Sequence, residues 1–172
     1  MTMADEIAVM NFGRIEQRGS ATDLYERPLT EFVANFLGIS NLIDGAVTRR
    51  DGGLAEFTTH DGARVLLPSE RLTDNGTGEL RVGVRPEKIA LVPAETGAPA
   101  GDVNVLRGRV AVASFLGVAI QYVIETPGGE ELTVIAQNID GDEPTSVGPG
   151  REVLLTWNPH HTFVVHKETA HA

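Results

Sequence analysis

The sequence predicts a mainly β protein: a duplicated small β-barrel or sandwich, entered through a short N-terminal hairpin and one or two helices. Three observations predict it. A pattern of strand, glycine turn and strand begins at Asn41 and begins again at Asn104. Each copy closes on an apolar strand, a polar residue, a proline, four more residues and a second apolar strand. The 19 glycines and 9 prolines among 172 residues supply the turns that many short strands need.

The first elements are local. Ile7-Ala8-Val9-Met10 is a short apolar run of the kind buried in a sheet, Asn11-Phe12-Gly13 is a turn, and Arg14-Ile15-Glu16-Gln17-Arg18 is a polar return strand. An isolated hairpin is marginally stable in water, so upstream chain is expected to cover this one. Without that cover, Ile7, Val9 and Met10 are expected to be disordered, borrowed by a neighbouring chain or repacked onto the β-module. Ser20 is a good N-cap and Asp23 completes a weak capping box for a one-turn helix. Pro28 ends that turn and is placed to open a second helix, with Leu29, Phe32, Val33, Phe36 and Leu37 on one face and Gly38 as its stop.

The repeat follows. Asn41-Leu42-Ile43-Asp44-Gly45-Ala46-Val47 matches Asn104-Val105-Leu106-Arg107-Gly108-Arg109-Val110. The next turns are His60-Asp61-Gly62 in the first copy and Pro127-Gly128-Gly129 in the second. Leu80 to Val92 then aligns without gaps on Val153 to Val165, which superimposes Pro86 on Pro159. Proline removes a ladder donor and biases the residue before it to extended geometry, so it pins the corner between the two strands. The repeats are 41–93 and 104–166, joined by a linker over 94–103. A unit of about five short strands has too little core to stand alone, so the two copies are expected to share strands or pack face to face; closing a barrel also removes exposed edges.

Composition narrows the function. The formal net charge of −10 and an aromatic content of 5% leave neither the basic footprint nor the stacking platforms of a nucleic-acid binder. With no cysteine there is no disulfide framework and no thiolate metal site. No apolar run approaches the ~20 residues that span a bilayer. Asp5 and Glu6 stand where a signal peptide carries positive charge, so the expected compartment is the cytoplasm.

The pattern M-N-x-G-R-I-x-Q-x-G over Met10 to Gly19, then Leu24-Tyr25, Pro28, Phe32-Val33-Ala34, Phe36-Leu37-Gly38 and Asn41-Leu42, resembles the end of the ATP-binding subunit of bacterial ABC importers. Val82-Gly83-Val84-Arg85-Pro86-Glu87-Lys88-Ile89-Ala90-Leu91, Ser114-Phe115-Leu116-Gly117, Tyr122 and Trp157-Asn158-Pro159 resemble the transport-associated OB domain of the same subunits. The resemblance implies that residues 1–38 are the C-terminal remnant of an ATP-binding domain and that 39–172 are an OB-type regulatory domain. It further implies a homodimer through that domain, contact with permease subunits through the ATPase domain, and a peripheral place on the inner face of the cell membrane. The spermidine/putrescine branch is the nearest in detail, although importers of iron, sulfate and sugars share these segments. ATP and Mg belong to the intact parent. A phosphate loop needs Gly before Lys, whereas Lys88 and Lys167 follow Glu87 and His166. No Leu-Ser-Gly-Gly segment and no apolar strand ending in Asp-Glu occurs, so no ATP hydrolysis is expected from this stretch alone. The competing expectation is a module that senses a small solute or anion and thereby regulates transport.

Few residues qualify as sites. Arg85, Pro86 and Glu87, with Trp157, Asn158 and Pro159 at the same place in the second copy, are the candidates for a hinge or subunit contact. Either Arg85 and Glu87 pair across an interface, or they satisfy local backbone and each other. The second is favoured, because Asn158-Pro159-His160 makes the same turn without charges. His160, His161 and His166 fall on alternate faces if they sit on a strand. Asp140, Asp142 and Glu143 lack the spacing of a calcium loop. Ser114 is in no G-x-S-x-G elbow. No catalytic, cofactor or metal residue is assigned.

Overall fold

A computed structural model describes residues 4–72, 79–138 and 147–165. Strands β1 (Ile7–Asn11) and β2 (Arg14–Gly19) form an antiparallel hairpin, turning at Phe12 and Gly13, both with positive φ. Helix α1 (Ala21–Glu26) starts where Ser20 Oγ accepts from the Asp23 N–H. Helix α2 (Glu31–Phe36) is capped by Thr30, whose Oγ1 accepts from Val33 N–H. Pro28 therefore stands in the connection and does not open the second helix. A hydroxyl cap at Thr30 satisfies an orphan N–H, which proline at the helix start does not.

The hairpin is neither disordered nor laid on the β-module. Val9 is buried with Leu24 and Val33, with Ile7, Phe32 and Leu37 packed around them, while Met10 is exposed. Strand alternation sets these neighbours on opposite faces. Gln17 fastens the hairpin to the helices: its Nε2 donates to the Arg27 carbonyl at 3.0 Å and its Oε1 accepts from Leu29 N–H at 2.8 Å. Of the apolar face expected on the second helix, Leu29 and Phe36 point to solvent, and Ala34 takes the buried place beside Val33.

The rest is two five-stranded antiparallel sheets. The first copy supplies β3 (Asn41–Asp51), β4 (Leu54–Thr59), β5 (Arg64–Pro68), β6 (Glu79–Val84) and β7 (Ala90–Pro93). The second supplies β8 (Asn104–Phe115), β9 (Ala119–Glu125), β10 (Glu131–Gln137), β11 (Glu152–Trp157) and β12 (Phe163–Val165). One sheet runs β12-β6-β3-β4-β5 and the other β7-β11-β8-β9-β10. The copies thus exchange their last strands. The corner at Pro86 sends β7 to pair with β11, and the corner at Pro159 sends β12 to pair with β6.

Both sheets feed one buried cluster, in which Ile43, Phe57 and Val82 meet Ile124, Leu132 and Leu155. The copies agree in detail. The long strands bulge at matched positions, between Val47 and Arg49 and between Val110 and Val112. Matched glycines precede the bulges because strands pass too close for a side chain. A Cβ on Gly45 would stand 2.2 Å from the Thr58 carbonyl oxygen, and one on Gly108 2.3 Å from Ile124 Cγ2.

Candidate functional site: the joint at Arg85 and the β8–β9 tip

Arg85 lies just after β6, in the extended residue that leads into the one-turn 3-10 helix Pro86–Lys88. It is 2% exposed. Its Nη1 donates to the Ala34 carbonyl at 2.8 Å, the Gly38 carbonyl at 3.2 Å and Ser40 Oγ at 2.5 Å, and its Nη2 donates to the Tyr25 carbonyl at 3.0 Å. One guanidinium therefore collects the carbonyls that end both helices, where a cation is favoured and the last C=O groups lack helical partners. The guanidinium also lies 4.2 Å from the centroid of the Tyr25 ring and 5.4 Å from that of Phe163. Burial pulls its pKa below the usual arginine value.

Glu87 does not pair with Arg85. Its Oε1 accepts from the Tyr25 hydroxyl at 2.5 Å. Burial, then the bond and charge of Glu87, push the Tyr25 phenol up to about 12. The partners of Arg85 are not its sequence neighbours: they are backbone carbonyls and the Ser40 hydroxyl, 45 to 60 residues earlier in the chain.

Arg81 adds a second tie. It holds Asp44 through two bonds of 3.0 and 2.7 Å and reaches Glu31 at 2.5 Å, and these bonds raise its pKa. Ala34 packs with Phe163 and Val165, so α2 sits on the exchanged strand β12. The helices are thus held to the β-module by two arginines of the β6 region, the Tyr25–Glu87 hydrogen bond and one small apolar contact.

The second corner serves the interior. Trp157 is 3% exposed and its Nε1 donates to Thr162 Oγ1 at 2.9 Å. Pro159 is buried, and Asn158 Oδ1 caps the 3-10 turn Pro159–His161 by accepting from His160 N–H. His160 and His161 lie on that turn, not on a strand, and line one recess. Among the described residues, no group of three or more His, Asp or Glu side chains gathers as a metal site. His166, Asp140, Asp142 and Glu143 lie outside the described residues. Ser114 is at the exposed end of β8.

That end of the sheet is the other notable surface. Val112, Phe115, Leu116 and Val118 are 47 to 83% exposed at the β8–β9 tip. No charged residue occurs from Val110 to Ile124. The sequence had picked out Ser114-Phe115-Leu116-Gly117 only as part of a resemblance.

Comparison with known proteins places this geometry. Residues 82–165 match the family model described as TOBE domain. The spermidine/putrescine import ATP-binding protein PotA of Acidothermus cellulolyticus is 42% identical over 163 residues, which cover 95% of this chain and 41% of that protein. The protein of the same name from Frankia alni is 39% identical, over 99% of this chain and 37% of its own length. The chain spans about two fifths of the length of these relatives. The cytoplasmic molybdate-binding protein ModG, in a crystal structure with molybdate bound, superimposes with a TM-score of 0.63 at 16% identity over 72% of this chain and 94% of that one. At that identity the likeness is one of fold.

Proposed function

We infer that this chain, whose residues 82–165 belong to the TOBE-domain family and which is related throughout to ABC importer ATP-binding subunits, is their regulatory and dimerisation module. The observation that carries the dimer is the β8–β9 tip. A chain of net charge −10 repels its own copy, so a contact between copies belongs on an uncharged surface. The tip offers four exposed apolar side chains and no charge over residues 110–124. A twofold contact there makes one patch self-complementary.

In the intact subunit, this pairing holds two ATPase domains together as their nucleotide sites open and close. Exposed Met10, Phe12, Ile15 and Phe36 are the apolar side chains open to contact with that ATPase domain. Polyamine uptake is the transport reading, supported by the names and identities of the relatives. The module works in the cytoplasm, on a subunit held at the membrane by its permeases; among the described residues no helix is long and apolar enough to cross a membrane.

Light scattering of this chain and of a Phe115→Glu, Leu116→Glu variant tests the dimer. Association of the parent with a monomeric variant supports it; equal association constants overturn it. Uptake of labelled spermidine by cells that carry or lack the intact subunit tests the transport reading.

A further inference from the structure

A cavity of about 380 Å³ opens between the α1–α2 connection and the β12 side of the first sheet. Arg27, Arg71 and Glu70 supply its polar lining, and Pro28, Leu29 and Phe163 an apolar wall. Arg71 and Phe163 also line a narrower recess of about 30 Å³ beside Arg85, Lys88, His160 and His161.

We propose that this cleft binds a small phosphate-type anion with a short apolar body. Four cations, Arg27, Arg71, Arg85 and Lys88, line the cleft and its recess with two carboxylates, Glu26 and Glu70, and a third, Glu87, stands beside them on the Tyr25 hydroxyl. The region is therefore net positive within a chain of net charge −10. Among the described residues, Arg27, Arg71 and Lys88 form no ion pair within 4.0 Å, whereas Arg18, Arg64, Arg81 and Arg151 each do.

Arg71 is the anchor. Its Nη1 donates to the Thr162 carbonyl at 2.7 Å, which fixes the plane of the guanidinium. Its Nε is out of water and has no partner. With Nη1 held by Thr162 and Nε shut off from solvent, the remaining guanidinium donors are left for an oxyanion in the cleft, in a fixed plane. Burial and then the like charge of Arg27 press on Arg71, and His161 is held low by burial and by Lys88. A bound anion relieves that field.

Glu70 shares the wall, so the ligand must bring more charge than one carboxylate. A phosphate monoester does, with about −1.5 to −2 at neutral pH. The cavity lies within the roughly 300–1,000 Å³ range of small-molecule sites, and its Leu29 and Phe163 wall suits an apolar substituent. The site does not depend on dimerisation.

The test is an NMR titration of the whole chain with inorganic phosphate and with phenyl phosphate, at constant ionic strength against chloride. Expected are saturable shifts at Arg27–Leu29, Arg71 and the His161 ring, with phenyl phosphate the tighter ligand. Arg27→Gln, at an exposed position, keeps the fold and weakens binding on the order of tenfold. Arg71→Lys keeps the charge but loses the fixed planar guanidinium and weakens binding as well. Equal shifts with chloride, or unchanged binding by Arg27→Gln, overturn the proposal. Equal affinity for the two phosphates overturns the apolar subsite.

Discussion

Asn41 and Asn104 occupy the same position in the two repeats, and each seals the open edge of the other repeat's sheet. Asn41 Nδ2 donates to the Thr133 carbonyl and its Oδ1 accepts from Thr133 N–H, both at 2.7 Å, on edge strand β10. Asn104 does the same to Leu66 on edge strand β5, at 2.8 and 2.6 Å. A carboxamide reproduces the donor and acceptor of one peptide unit, so each asparagine acts as one residue of the missing neighbouring strand. Both are buried.

Replacing either asparagine by leucine strands one backbone N–H and one carbonyl. Each variant is expected to lose about 2–3 kcal/mol in urea unfolding. Asn104→Leu loses more, because Asn104 Nδ2 also donates to Thr162 Oγ1, which Trp157 shares. A loss under about 0.5 kcal/mol for both would remove the lock from this account.

Arg85→Ala is expected to free the helices without unfolding the sheets. Hydrogen exchange should accelerate over residues 21–38 while β8 and β11 stay protected, because the helix-ending carbonyls lose their shared donor. Arg85→Lys should not restore protection, since an ammonium cannot reach Ala34 and Tyr25 together as a planar fork does. Uniform loss of protection across both sheets would show that Arg85 supports the whole fold.

The chain's two tyrosines are expected to titrate above the ordinary phenol range. Tyr25 is pushed up to about 12 by burial and Glu87, and Tyr122 is raised by burial alone. The folded state then keeps protons that the unfolded state releases, so stability is full below pH 10 and falls as pH rises toward about 12. Absorbance at the phenolate band checks this. Tyr25→Phe should flatten the stability loss in that window, and a tyrosine titrating near 10 in the folded parent would contradict it.

Gly45→Ala and Gly108→Ala should each destabilise by more than about 2 kcal/mol, because the methyl group meets a backbone oxygen or a core methyl at far below contact distance. Gly52→Ala meets no atom but needs a positive φ, so its cost is backbone strain alone and should be smaller. Denaturant midpoints rank the three.

The duplication was readable because it lies in residue order. Gly45 and Gly108, and Asn41 and Asn104, recur at one offset, Pro86 and Pro159 close each copy in the same order, and strand alternation marked the elements between them. That Asn41 touches Thr133 was not readable: 92 residues separate them, and the contact exists only when the two sheets face each other. The partners of Arg85 were not readable for a related reason. Its sequence neighbours Pro86 and Glu87 suggested a local partner, while its real partners are carbonyls that every residue possesses and no pattern singles out. The available clue was the mismatch with Asn158, since the helices dock on only one of the two corners.

By itself the sequence determined the β class, the two-copy plan, the N-cap at Ser20 and the proline corners, all of which follow from local sterics and side-chain alternation. Only the tertiary structure decided that the copies exchange β7 and β12, that Val9 rather than Met10 faces the helices, and that Arg85 binds the two parts together. Those outcomes depend on which buried surfaces and unpaired backbone groups meet across the fold.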